Sequence, residues 1–260
     1  MMNSYWENKV PAKFEHSLIK LRLWFYIIAL VHLALISWYL LVIVDFSTSD
    51  DQNIRKYNQV RWRLLTTWFN LLFYIHLPVS VYCEWKALRG EASRKHVQIL
   101  NDIRSTSFSS ILLPTATFAD LLFWRLWYKN PVLLAPMAIL DAVPFWSQHC
   151  THTVSLIVVI MDILLVPRQT PRSLKNGSML LAAFVGTYTL MFLYSIAIED
   201  EYIYSFTKTF SYYQLATFVL YMFAEHLFYF TSQWIIVDML WGNEKNRGIY
   251  KRYLEKVKLS

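Results

Sequence analysis

Six runs of roughly 20 mostly apolar residues constrain this chain most, because a helix needs about that length to cross some 30 Å of hydrocarbon. They cover Leu23 to Val44, Trp62 to Cys83, Thr106 to Trp124, Trp146 to Val166, Ser178 to Ile198 and Tyr213 to Trp241. With no water in the bilayer core, the backbone must satisfy its own hydrogen bonds, so such runs fold as helices. A seventh apolar stretch, Pro131 to Phe145, is interrupted by Pro136 and Pro144 and reads as a re-entrant or interfacial segment. The first run has 22 residues, longer than the apolar core of about 7–15 found in a cleaved signal peptide, and reads as a retained anchor. Connections are short and no internal repeat is visible. The expected fold is therefore all-α: one polytopic membrane helical bundle over residues 1–260 with six transmembrane helices.

Composition agrees with this. Hydrophobic residues make up 56% of the chain and charged residues 17%, with only five Gly and two Cys. That excludes disordered, collagen-like and disulfide-scaffold proteins. The formal charge of +7 would suggest nucleic acid in a soluble protein. Here the basic residues lie between apolar blocks, so nucleic acid is set aside in favour of anionic headgroups and topology. Eighteen of the 25 Lys and Arg fall in the N-terminus, the even-numbered connections and the tail, against seven on the other side. The bias predicts both termini in the cytosol, with residues 242–260 as a basic cytosolic tail. Lys256 and Lys258, fifth and third from the C-terminus, resemble a dilysine-type retrieval signal and favour an endoplasmic reticulum or endomembrane location over the plasma membrane.

Polar groups inside spans cost about 2.5–3.5 kcal/mol on insertion scales when ionisable, which makes them functional candidates. The alternative is ordinary helix-to-helix hydrogen bonding. His149 and His152 are three apart, so a regular helix places them on one face. Two imidazoles suit a metal, an oriented pair, or one general base. No further ligand can be named at matching depth, so neither a metal nor a cofactor is implied. A base needs a nucleophile at its own depth. Thr66, four residues inside the second span, and His152, six residues inside the fourth, lie about 6 and 9 Å from the same membrane face. Thr67, Thr151 and Thr153 are equally available by composition, and residue chemistry alone favours the helix-bonding role for any of them. Asn70, one turn beyond Thr66, is a candidate donor to an oxyanion, and His149 could orient His152. Asp120 and Glu225 are expected deeper, as structural partners of polar neighbours.

A resemblance narrows these choices. Trp62-Arg63-Leu64-Leu65-Thr66 is similar to the start of the second span in the androgen-induced and androgen-dependent tissue-factor-pathway-inhibitor-regulating family. In the same order follow Arg104 ten residues before Pro114, the block Pro144-Phe145-Trp146-Ser147-Gln148-His149-Cys150-Thr151-His152-Thr153, Asp162, and Leu220-Tyr221-Met222-Phe223-Ala224-Glu225-His226-Leu227. Gln148 stands where the family has Asn, Ser105 where it has an acid, Ala224 where it has Gly, and Phe228-Tyr229 where it has asparagines. The resemblance implies a multipass membrane hydrolase of fatty acid esters of hydroxy fatty acids, with Thr66 as nucleophile and His152 as base. A non-enzymatic membrane regulator on the same fold is the main alternative. A transporter is the weaker one, since Gly186 is the single Gly within a span.

Overall fold

The computed structural model describes residues 12–242 apart from Asp45, Ser47 and Thr48; Lys256 and Lys258 of the basic tail lie outside the described residues. Among these residues there is no strand. The long helices are α1 (Ala12–Trp38), α3 (Leu65–Leu88), α4 (Lys95–Ser107), α5 (Leu113–Lys129), α8 (Val154–Leu165), α9 (Lys175–Ala197) and α10 (Tyr212–Val237). Shorter ones are α2 (Gln52–Val60), α6 (Met137–Ala142) and α7 (Phe145–Gln148). Wide five-residue turns continue α1 over Tyr39–Ile43, join α4 to α5 over Phe108–Leu112 and join α7 to α8 over His149–Thr153. The second of these precedes Pro114, which has no N–H for the carbonyl four residues back.

Among the described residues, four helical stretches are long and apolar enough to cross a membrane: His16–Ile43, Lys95–Lys129, Phe145–Leu165 and Lys175–Ala197. A fifth forms only if Gln52–Arg63 and Leu65–Leu88, bent by 48° at their junction, count together. The six spans expected from the sequence thus reduce to four or five by length and composition. At 26 residues α10 is about 39 Å long. Length is therefore no obstacle for it; Gln214, Thr217, Glu225, His226, Thr231, Ser232 and Gln233 dilute its apolar character. The Pro131–Phe145 stretch makes a short 3₁₀ turn and α6, and does not cross.

One face of α1 carries Trp24, Ile28, Val31, Leu35 and Trp38, each more than half exposed. Leu190 of α9, Ile198 just past its end, and Leu220 and Ile235 of α10 point outward likewise. Apolar surface in such quantity is untenable in water and matches lipid. The inward faces build a core around Tyr26, Phe69, Phe73, Phe108, Phe118 and Phe192. Gly177 lets α9 approach the ring of Phe230, since a Cβ there would lie 2.7 Å from Phe230 Cζ. At one end of the bundle, α2 and α6 pack on each other through Phe46, Ile54, Tyr57, Ile139 and Val143. They roof the space between α1, α3 and α8.

Candidate active site

Beneath that roof is a cavity of about 460 Å³, within the size range of small-molecule sites. Its wall is mostly aliphatic and aromatic, and Thr66, Thr67, Asn70 and His152 all contribute to it. A second, much smaller hollow of about 40 Å³ is lined by Phe118, Phe192 and Phe218. Thr66, His152, Phe123, Leu134 and Tyr204 belong to both walls. The structure therefore brings Thr66 and His152 to the junction of two apolar hollows.

Thr66 sits in the first turn of α3, just past the bend. Arg61–Arg63 form a single 3₁₀ turn and Leu64 is extended, so α3 begins abruptly. The start is pinned from the loop between α9 and α10. Arg63 pairs with Glu199, and with Glu201 at 3.3 Å, and donates to Ser195 Oγ at 3.0 Å. The N–H of Leu65, one of the first-turn donors that a helix leaves unsatisfied, donates to Tyr204 Oη at 3.1 Å. Burial raises the Tyr204 pKa, so this hydroxyl stays protonated.

The two adjacent threonines differ. Thr67 Oγ1 donates to the Arg61 carbonyl at 2.7 Å and ties α3 to the preceding turn. Thr66 Oγ1 has no hydrogen-bond partner among the described residues and faces the cavity. The sequence could not separate them; the bend does.

His152 is buried and lies flat on Phe123, ring centroids 3.6 Å apart and planes 7° apart. Its Nδ1 is 2.9 Å from Asp120 Oδ1, and Asp120 also accepts from Ser155 Oγ at 2.5 Å. In its ionised form Asp120 only accepts, and that form places the proton on Nδ1 and leaves Nε2 as a lone-pair acceptor. Asp120 is thus a partner of the histidine itself, not of unrelated polar neighbours deeper in the bundle. The only sequence signal was an acid inside a span, which must find a partner somewhere. Glu225, by contrast, faces Arg125 at 3.4 Å.

His149 does not share a face with His152. The wide turn over His149–Thr153, closed by Val154 N–H to His149 O, breaks the regular spacing on which that expectation rested. His149 Nδ1 meets Thr153 Oγ1 at 3.0 Å and its ring packs on Trp124 and Phe145, away from the cavity. Asn70 does line the cavity. Among the described residues no group of three His, Cys, Asp or Glu is placed to hold a metal.

A family model described as FAR-17a/AIG1-like protein matches residues 27–236, a stretch containing every residue of this site. The chain belongs to that family. Among curated relatives, the androgen-dependent TFPI-regulating protein of Mesocricetus auratus is 27% identical over 175 residues, 66% of this chain and 75% of its own. The Homo sapiens protein of the same name is 28% identical over 155 residues, 58% of this chain and 66% of its own. No solved structure matches. The FAR-17a/AIG1-like match spans both the bend that exposes Thr66 and the wide turn that carries His152.

Proposed function

We propose that this chain is a membrane-embedded ester hydrolase acting on fatty acid esters of hydroxy fatty acids, with Thr66 as nucleophile and His152 as general base. The observation that carries the reading is that an unpartnered threonine and an imidazole held by Asp120 line the wall of the same apolar cavity. A hydroxyl becomes nucleophilic when an adjacent base takes its proton. His152 Nε2 accepts the Thr66 proton as Oγ1 adds to the ester carbonyl. The same nitrogen then returns the proton to the departing alkoxide, releasing the hydroxy fatty acid and leaving an acyl-threonine. Water, activated by Nε2 in turn, hydrolyses that ester. Asp120 holds the ring and stabilises the imidazolium formed in each half-reaction. Negative charge on the carbonyl oxygen is met by Asn70 and by the positive N-terminal end of α3.

The large cavity suits one arm of such an ester, with the reacting bond placed where Thr66 and His152 meet its wall. We also propose six spans, α10 being the last, with both termini cytosolic and residence in the endoplasmic reticulum through Lys256 and Lys258. The name of these relatives refers to regulating TFPI, which keeps a non-enzymatic regulator as the second reading.

Turnover of a long-chain fatty acid ester of a hydroxy fatty acid, in membranes matched for expression, tests the reading. Thr66→Ala and His152→Ala should each remove nearly the whole rate, and the double variant little more, because the two act as one unit. Thr66→Ser should keep part of it, and a fluorophosphonate should label the wild-type chain at Thr66. Wild-type turnover by Thr66→Ala would make Thr66 a packing residue and leave the regulator reading standing.

A further inference from the structure

The large cavity carries one permanently charged side chain. Among the described residues, Arg61 is the sole Lys or Arg that lines it, and no Asp or Glu does. Other arginines within the bundle have carboxylates to meet: Arg22 and Arg104 share Glu84, Arg168 holds Asp162, Arg63 has Glu199 and Glu201, and Arg125 has Glu225. Arg61 has no carboxylate partner among the described residues. Its Nη1 makes one long contact, 3.4 Å, to the carbonyl of Leu40, and its Nε is buried without a hydrogen-bond partner. The guanidinium lies 5.4 Å from the ring centroids of both Phe46 and Trp62. Aromatic faces hold it in place but do not neutralise it.

Arg61 is half-buried, with Nε closed off from solvent and no counter-ion beside it, and a planar guanidinium with free donors matches a carboxylate in a two-pronged hydrogen bond. We infer that Arg61 binds the free carboxylate of an acidic lipid and so determines which esters the site accepts. The inference rests on the hydrolase reading of Thr66 and His152 and adds an orientation to it. The arm ending in the carboxylate fills the large cavity toward Arg61, and Tyr57, which lines the same wall, offers a second donor there. Esters of the same length without a carboxylate leave Arg61 unmatched and are poor ligands. A site built to hydrogen-bond a polar group rejects the analogue lacking it far more strongly than it rejects a missing methylene.

Two measurements test this in zwitterionic phospholipid nanodiscs, one of them independent of turnover. The first is fluorescence binding of cis-parinaric acid against its methyl ester. Wild-type protein and Thr66→Ala should both prefer the acid by tenfold or more. Arg61→Gln should bring that ratio close to one, and Arg61→Lys, which keeps the charge but loses the fork, should retain part of it. The second is hydrolysis of the acidic ester against its carboxyl-methylated form. Arg61→Gln should raise KM for the acid by tenfold or more with kcat within a fewfold. Equal binding of acid and methyl ester by folded wild-type protein overturns the inference, as does an unchanged ratio in Arg61→Gln. Displacement of the acid by added anionic phospholipid at comparable concentration also overturns it, assigning the cation to a headgroup. Absence of turnover alongside an Arg61-dependent preference for the acid would sink the hydrolase reading and leave carboxylate recognition intact.

Discussion

The two ends of the bundle both bury charge, and they do so in opposite ways. Where α1 begins and α3 and α8 finish, Glu84 accepts from Arg22 at 2.9 Å and from Arg104 at 2.7 Å, and Asp162 is held by Arg168, by Tyr26 Oη at 2.6 Å and by His76 at 3.3 Å. Cations meet acids there, and the rings of Tyr26 and Phe108 pack over Arg104 and Arg168. At the other end, among the described residues, Asp120 touches no arginine and Arg61 touches no acid, and a cavity of about 460 Å³ lies alongside. Charge matched in place ties helices together. Charge left unmatched beside an apolar cavity is what a ligand can use, and burial alone does not separate the two roles, since Asp120 is as buried as Glu84 while Arg61 is half-buried.

The comparison breaks most visibly at Glu84. In Glu84→Gln two buried guanidinium groups lose the carboxylate they share, and breaking a buried ion network costs about 3–5 kcal/mol. The expected result is a large drop in thermal stability of the detergent-extracted protein and in its folded yield. Whatever remains folded should turn over substrate with a normal KM, because the cluster lies at the far end of α3 from Thr66. A variant as stable as wild type would show that this end is not what holds the helices together.

Asp120→Asn should do the reverse. No cation depends on Asp120, so removing its charge should leave folded yield close to wild type. The chemistry should suffer, because Asn can present its amide to Nδ1 and favour the wrong tautomer of His152; the equivalent change in a Ser-His-Asp triad costs about 10⁴ in kcat. We expect a fall of about 10²–10⁴ in kcat with partial recovery in Asp120→Glu. If Asn, nearly the same shape, leaves the rate intact, the carboxylate serves packing only.

Sequence reading reached the two ends unequally. The spans containing α1, α5, α8 and α9 were visible because their hydropathy is continuous, and the family resemblance reached Thr66 and His152 through short local blocks. What it missed depends on geometry that spacing does not encode. The bend at Leu64 moved the start of the second helix to Leu65. The wide turn at His149–Thr153 turned His149 away from its neighbour. Asp120 meets His152 across 32 residues, and Arg61 looks in sequence like one of several basic residues in a loop. Counting Arg22, Arg104 and Arg168 as loop charges likewise missed that all three are buried against acids.

The smallest effect is the sharpest discriminator at the open end. Thr66 and Thr67 are chemically identical and adjacent, so a general loss of polarity in the first turn of α3 would affect both alike. In Thr67→Ala the Arg61 carbonyl loses a 2.7 Å hydrogen bond, which is worth about 0.5–1.5 kcal/mol. That loosens the bend without touching the hydroxyl proposed to react. Turnover should stay within about threefold of wild type while stability falls by that modest amount. Because the bond also fixes the backbone of Arg61, the effect on KM for an acidic ester should exceed the effect on kcat. Turnover by Thr67→Ala as low as that of Thr66→Ala would mean that the bend, not one hydroxyl, is what the first turn of α3 supplies. Rates measured side by side at matched expression distinguish these outcomes.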